Sequence, residues 1–140
     1  MCDKARVWTV RAAFALVFAW NVLCAVQFIC WPLSFTGAYQ LEGAGAAAAV
    51  QGLGVAFLMW NATYPAFIWD PRRFKALGAV VVVQQAIGLA GELYIASSLG
   101  AGQELLSQGI ARFVGFDALG LVLMGAALYF FFKPSKAASA

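Results

Sequence analysis

The run Ala76–Ser98, ALGAVVVVQQAIGLAGELYIASS, holds a single charged side chain, Glu92, and no proline. As an unbroken helix at ~1.5 Å per residue it is about 34 Å long, enough to cross the ~30 Å hydrocarbon core of a bilayer. Apolar and polar positions do not alternate along it, which excludes a barrel strand. Arg72, Arg73 and Lys75 precede it, and Ser97-Ser98-Leu99-Gly100 ends it with a turn signal.

Three further stretches of the same character lie outward from it. They run from about Ala12 to Trp31, from Ala44 to Trp69 and from Gly109 to Phe132. Each ends at a charge or proline: Trp31-Pro32, Trp69-Asp70-Pro71-Arg72-Arg73 and Lys133-Pro134. The 140 residues are 64% apolar and 11% charged, whereas soluble domains average roughly 25% charged. So short a chain cannot hide that much apolar surface from water. The expected fold is all-α, an integral-membrane four-helix bundle, with residues 1–140 forming a single transmembrane domain. The first stretch is read as a retained helix, because it exceeds the ~7–15 residues of a signal-peptide core and lacks a small-x-small exit.

Positive charge sets the expected orientation. Lys4, Arg6 and Arg11 precede the first helix, Arg72, Arg73 and Lys75 join the second to the third, and Lys133 and Lys136 follow the fourth. The opposite loops, Thr36–Gly43 and Gly100–Ser107, carry only Glu42 and Glu104. The positive-inside rule places both termini and the middle loop in the cytoplasm, and Trp8, Trp31, Trp69 and Tyr129 fit an interfacial belt. Basic residues confined to helix ends do not form a nucleic-acid face, so no nucleic-acid partner is expected.

The chain has no histidine, which removes histidine-ligated haem or zinc and histidine acid–base chemistry. It has no Ser/His/Asp set, phosphate-cradling loop or Cys-x-x-Cys. Cys24 and Cys30 are about 9 Å apart along one helix, too far for a disulfide, and Cys2 falls on the cytoplasmic side, where thiols stay reduced. No catalytic residue, metal site or cofactor is expected from these residues, and an enzyme is disfavoured.

Polar side chains inside hydrocarbon need a partner or a purpose. Here they are Asn21, Gln27, Gln51, Asn61, Gln84, Gln85, Glu92, Arg112 and Asp117. Gln27, Gln51, Glu92 and Asp117 each fall roughly 8–12 Å from the outer end of their helix, and so define one level. Gln85, Gly88 and Glu92 share a stripe that should face the bundle interior. Arg112 and Asp117 lie about 140° apart around helix four, so Arg112 should snorkel outward while Asp117 points inward.

One reading of this layer is structural: a Glu92–Arg112 ion pair, with the amides and Asp117 fixing helix register. The other is a pocket in which Glu92, Asp117, Arg112, Gln27, Gln51 and Gln85 bind a small cationic, lipid-like or quinone-like molecule or relay protons. A second feature is Trp60-Asn61-Ala62-Thr63-Tyr64-Pro65, where Pro65 should kink helix two and free the Asn61 carbonyl. Asn61 and Tyr64 could then serve a ligand, or Thr63 could satisfy the carbonyl internally. The Asn61-Ala62-Thr63 sequon lies within the helix and should be inaccessible. The small residues from Gly43 to Gly54 should let helix two pack closely on a neighbour.

Arg11 at the start of helix one, the glycine-rich Gly45–Gly54, the intramembrane acid Glu92 and the run Phe116-Asp117-Ala118-Leu119-Gly120-Leu121 together resemble the small bacterial four-helix membrane proteins of the DoxX type. That resemblance implies a bacterial inner-membrane location. It also implies either quinone-coupled sulfur oxidation, with quinone as the cofactor to look for, or service as an accessory subunit. It carries over no catalytic residue. Two expectations therefore stand: a module binding or transporting a small hydrophobic or cationic molecule, and an accessory subunit that joins a larger membrane complex or a second copy of itself.

Overall fold

Helices are the only regular structure that satisfies a backbone within lipid on its own, and the computed structural model, described over residues 3–133, has helices joined by short loops and no strand among those residues. Lys136, the Ser135–Ala140 tail and Cys2 lie outside the described residues. The elements are α1 (Asp3–Cys30), α2 (Leu33–Thr36), α3 (Ala46–Asn61), α4 (Tyr64–Trp69), α5 (Lys75–Ser98) and α6 (Glu104–Phe132). Four spans are long and apolar enough to cross a membrane, with α3 and α4 together making one of them, Ala46–Trp69.

Two boundaries differ from expectation for the same reason. The first helix starts at Asp3 and the last at Glu104, well before their apolar runs at Ala12 and Gly109. Hydropathy marks where a helix enters hydrocarbon, while helical hydrogen bonding continues into the polar flank. Glu104 in the first turn of α6 also suits the positive end of the helix dipole.

The kink expected at Pro65 is a two-residue break. Ala62 donates to the Met59 carbonyl (3.3 Å), three residues back, and Pro65 sits in the first turn of α4, where a missing N–H costs nothing. The Thr63 hydroxyl lies 3.2 Å from both the Trp60 carbonyl and Gln84 Oε1, tying the break to α5.

The break lets one span serve two neighbours. α3 packs on α1: a Cβ on Gly54 would stand 2.8 Å from the Ala25 carbonyl oxygen and 2.8 Å from Ile29 Cγ1. α4 packs on α1 and α5, and α5 packs along α6. The main buried core therefore sits where α1, α4, α5 and α6 meet, in Val10, Phe14, Val17, Tyr64, Phe67, Val81, Met124 and Leu128. At that end Arg6 donates to the Lys133 carbonyl and Arg11 to the Trp69 carbonyl, so the basic segments converge. Large apolar side chains such as Leu16 (64% exposed), Met59 (71%) and Trp69 (79%) point outward. A face of that kind is untenable in water and suited to lipid.

Candidate functional site

With α3 drawn to α1 and α5 to α6, the half of the bundle away from the basic end is left open. A cavity of about 570 Å³ lies there between α1, α3, α5 and α6. Its walls are largely aromatic. Trp20 stacks on Phe116 (5.5 Å between centroids, 19° between planes), and Phe57 and Phe113 meet over the buried Phe28. Trp60 reaches across from α3, and only the missing side chain of Gly88 makes room for it: a Cβ there would lie 2.8 Å from Trp60 Cη2 and 3.1 Å from Asp117 Oδ2.

The polar groups within these walls divide into satisfied and unsatisfied. Asp117 is satisfied: Gln85, itself buried, donates Nε2 to Asp117 Oδ1 at 2.7 Å. Gly120 makes that approach feasible, since its Cβ would stand 3.2 Å from Gln85 Nε2. Three buried atoms of the lining lack partners. Glu92 Oε2, Asn61 Oδ1 and Trp60 Nε1 are buried without a hydrogen bond, while the fully buried Tyr64 hydroxyl lies outside the lining, beside Asn21. Asn61 spends its amide N–H on the Phe57 carbonyl (2.7 Å), which leaves its oxygen free. Orphan atoms of this kind are uncommon in folded proteins and are costly when dry.

The sequence-derived site separates into two groups. Glu92, Asp117, Arg112, Gln85 and Asn61 all line the cavity, and Gly88 joins them on the α5 stripe. Arg112 is exposed at the rim, and Glu92 Oε2 accepts nothing from it, so the ion pair of the structural reading is not made at that atom. Gln51 points elsewhere: its Nε2 donates to the Ile29 carbonyl (3.1 Å) and fixes α3 against the end of α1. Gln27 is half-buried on α1 and is not among the lining residues. Of the four residues that the sequence places at one level, Glu92 and Asp117 thus line the cavity from α5 and α6, while Gln27 and Gln51 lie outside its lining.

The loops supply residues that the sequence did not flag. Tyr39 lines the end of the cavity away from the basic segments, and burial holds its phenol above the ordinary range, close to Glu92. Its neighbour Gln40 has a left-handed backbone (φ 50°). The Gln40 side chain donates to the Gly102 carbonyl (3.0 Å) and accepts from the Leu106 N–H (3.4 Å), clamping together the two loops at the end away from the basic segments. A tyrosine and a glutamine after a glycine carry no helical periodicity, so no sequence pattern marks them. Compared with known proteins, the chain matches no family model, no curated protein and no solved structure.

Proposed function

We propose that the chain binds a small amphipathic cation in this cavity, taking it from within the bilayer, and that transport would follow from such binding. The observation that carries the reading is Glu92 Oε2, a buried carboxylate oxygen without a donor inside an aromatic enclosure. An ammonium or guanidinium head would supply the missing hydrogen bond and charge. The faces of Phe57, Trp60 and Phe113 would add cation–π attraction, worth about 2 kcal/mol for a desolvated contact. The apolar remainder of the ligand would replace lipid against the walls. Both termini and the Asp70–Phe74 loop would face the cytoplasm of a bacterial inner membrane, in keeping with the clustered basic residues.

A second reading rests on an unpartnered donor. Trp60 Nε1 could bind a carbonyl oxygen of a quinone, in line with the DoxX-type resemblance, and would make the chain a quinone-binding subunit of a larger complex. One experiment separates the readings: thermal unfolding of detergent-purified wild type, Glu92→Gln and Asp117→Asn with amphipathic amines and, separately, a soluble quinone. The cation reading expects an amine to stabilise wild type and to lose its effect in Glu92→Gln. Quinone stabilisation of both wild type and Glu92→Gln would support the second reading. If neither compound acts and both variants melt lower, the layer is structural and the cation reading fails.

A further inference from the structure

At the other end of the bundle a second concavity, of about 530 Å³, has a different chemistry. Lys4, Arg11, Arg72 and Arg73 line it together with Trp8, Trp69 and the Asp70–Phe74 loop. Among the described residues its carboxylate is Asp70, which is turned to its own loop: Oδ1 accepts from the backbone N–H of Arg72 and of Arg73, each at 3.1 Å. Lys4, Arg11 and Arg73 thus bring three cationic side chains to a described carboxylate that backbone donors already hold. Arg11 is the deepest cation. It donates to the Trp69 carbonyl, sits 5.5 Å from the centroid of the Trp8 ring, and keeps a buried Nε–H with no acceptor.

This basic hollow continues into lipid. A groove of about 360 Å³ shares Trp8, Arg11 and Trp69 with it and runs on between α1 and α4 along Ala12, Ala15 and Ile68. Ala15 is about 10 Å further into the span than Trp8, at ~1.5 Å per residue. Small residues on α1 leave the groove open, and exposed tryptophans flank its mouth, as they do at the headgroup level of a bilayer.

We propose that these joined hollows hold one anionic phospholipid, its phosphate among Lys4, Arg11 and Arg73 and one acyl chain in the groove of Ala12, Ala15 and Ile68. A phosphate oxygen would give Arg11 Nε its missing acceptor, and guanidinium is the group best matched to phosphate. The site is independent of the cation cavity, which lies at the opposite end of the bundle. Because a phosphate alone shares the headgroup chemistry, the acyl groove is what distinguishes a lipid from a free anion.

The test is ligand titration of the full chain in neutral detergent, followed by native mass spectrometry and thermal shift, with short-chain phosphatidylglycerol, phosphatidylcholine and glycerol phosphate. Phosphatidylglycerol should bind at least about tenfold more tightly than the other two. Lys4→Gln/Arg73→Gln, which leaves the Arg11–Trp69 contact intact, should weaken it by about fivefold per cation removed while leaving the melting temperature without lipid unchanged. Ala12→Phe, which obstructs the groove without changing charge, should weaken phosphatidylglycerol and leave glycerol phosphate unaffected. Equal binding of the two lipids, or wild-type affinity in both variants, overturns the proposal. So does glycerol phosphate binding as tightly as phosphatidylglycerol, which would mean a free-anion site.

Discussion

At the basic end of the bundle Phe67 lies so close to α5 that a Cβ on Gly78 would stand 2.5 Å from its ring. At the other end a cavity opens between α3 and α5, and Trp60 reaches across it to Gly88. The same membrane span, read as one stretch of hydropathy, thus builds a packed half and a hollow half. The difference comes from the break at Ala62–Thr63 and from two glycines facing different partners, Gly54 towards α1 and Gly78 towards α4. Lipid makes the arrangement feasible: with no water competing, helices gain little from closing every gap, and local steric fit decides where they touch.

The contrast predicts unequal costs for removing the same side chain. Phe67→Ala deletes a ring with no exposed surface (0%) from the packed half and should destabilise by about 3–5 kcal/mol. Phe57→Ala only enlarges a cavity already there, and should cost about 1 kcal/mol. Unfolding midpoints in a mixed-detergent titration would compare them directly. Equal losses would mean that the hollow half is as tightly packed as the other in the membrane.

Glycine positions sharpen the point. Gly54→Ala drives a Cβ to 2.8 Å from a backbone oxygen of α1, so α3 must move towards the cavity; a loss of about 2 kcal/mol and weaker ligand binding are expected. Gly52→Ala, two residues away, meets nothing within 4 Å and should be neutral or slightly stabilising. A similar response from both would indicate a helix-propensity effect and argue against the close α1–α3 contact.

How much of this could be read from the chain follows the same division. The four spans, the convergence of basic ends and the Gln85–Gly88–Glu92 stripe depend on composition and on a 3.6-residue period, and both are visible in one helix at a time. Which glycine faces which neighbour depends on pairs of helices, and nothing in a single sequence fixes that. Gln51 shows the consequence: its depth matches that of Glu92, yet its amide goes to the Ile29 carbonyl. Tyr39 and Gln40 were illegible for another reason, since their roles come from the meeting of two loops about sixty residues apart in sequence.

Within the hollow half the two acids should also behave differently. Gln85→Leu removes the donor that holds Asp117 Oδ1 at 2.7 Å and leaves a half-buried carboxylate without it. A loss of about 1–3 kcal/mol is expected, read as a lower melting temperature, and Gln85→Leu/Asp117→Leu should recover part of it because no polar group is then stranded. Failure of the double variant to recover anything would show that Asp117 has a further partner.

Glu92 should give the smallest stability change and the largest functional one. Its buried Oε2 accepts no hydrogen bond, so Glu92→Leu breaks none at that atom and removes a desolvated charge. The variant should unfold within about 0.5 kcal/mol of wild type, or slightly later. A carboxylate held in a buried ion pair would behave in the opposite way, since stranding its partner costs about 3–5 kcal/mol. Parallel unfolding and ligand-shift measurements on Glu92→Leu therefore test both claims at once. Retained stability with loss of the amine-induced shift assigns the acid to a ligand. A loss of several kcal/mol would mean that Glu92 braces the hollow half, and the open geometry between α3 and α5 would then depend on the charge rather than on the glycines.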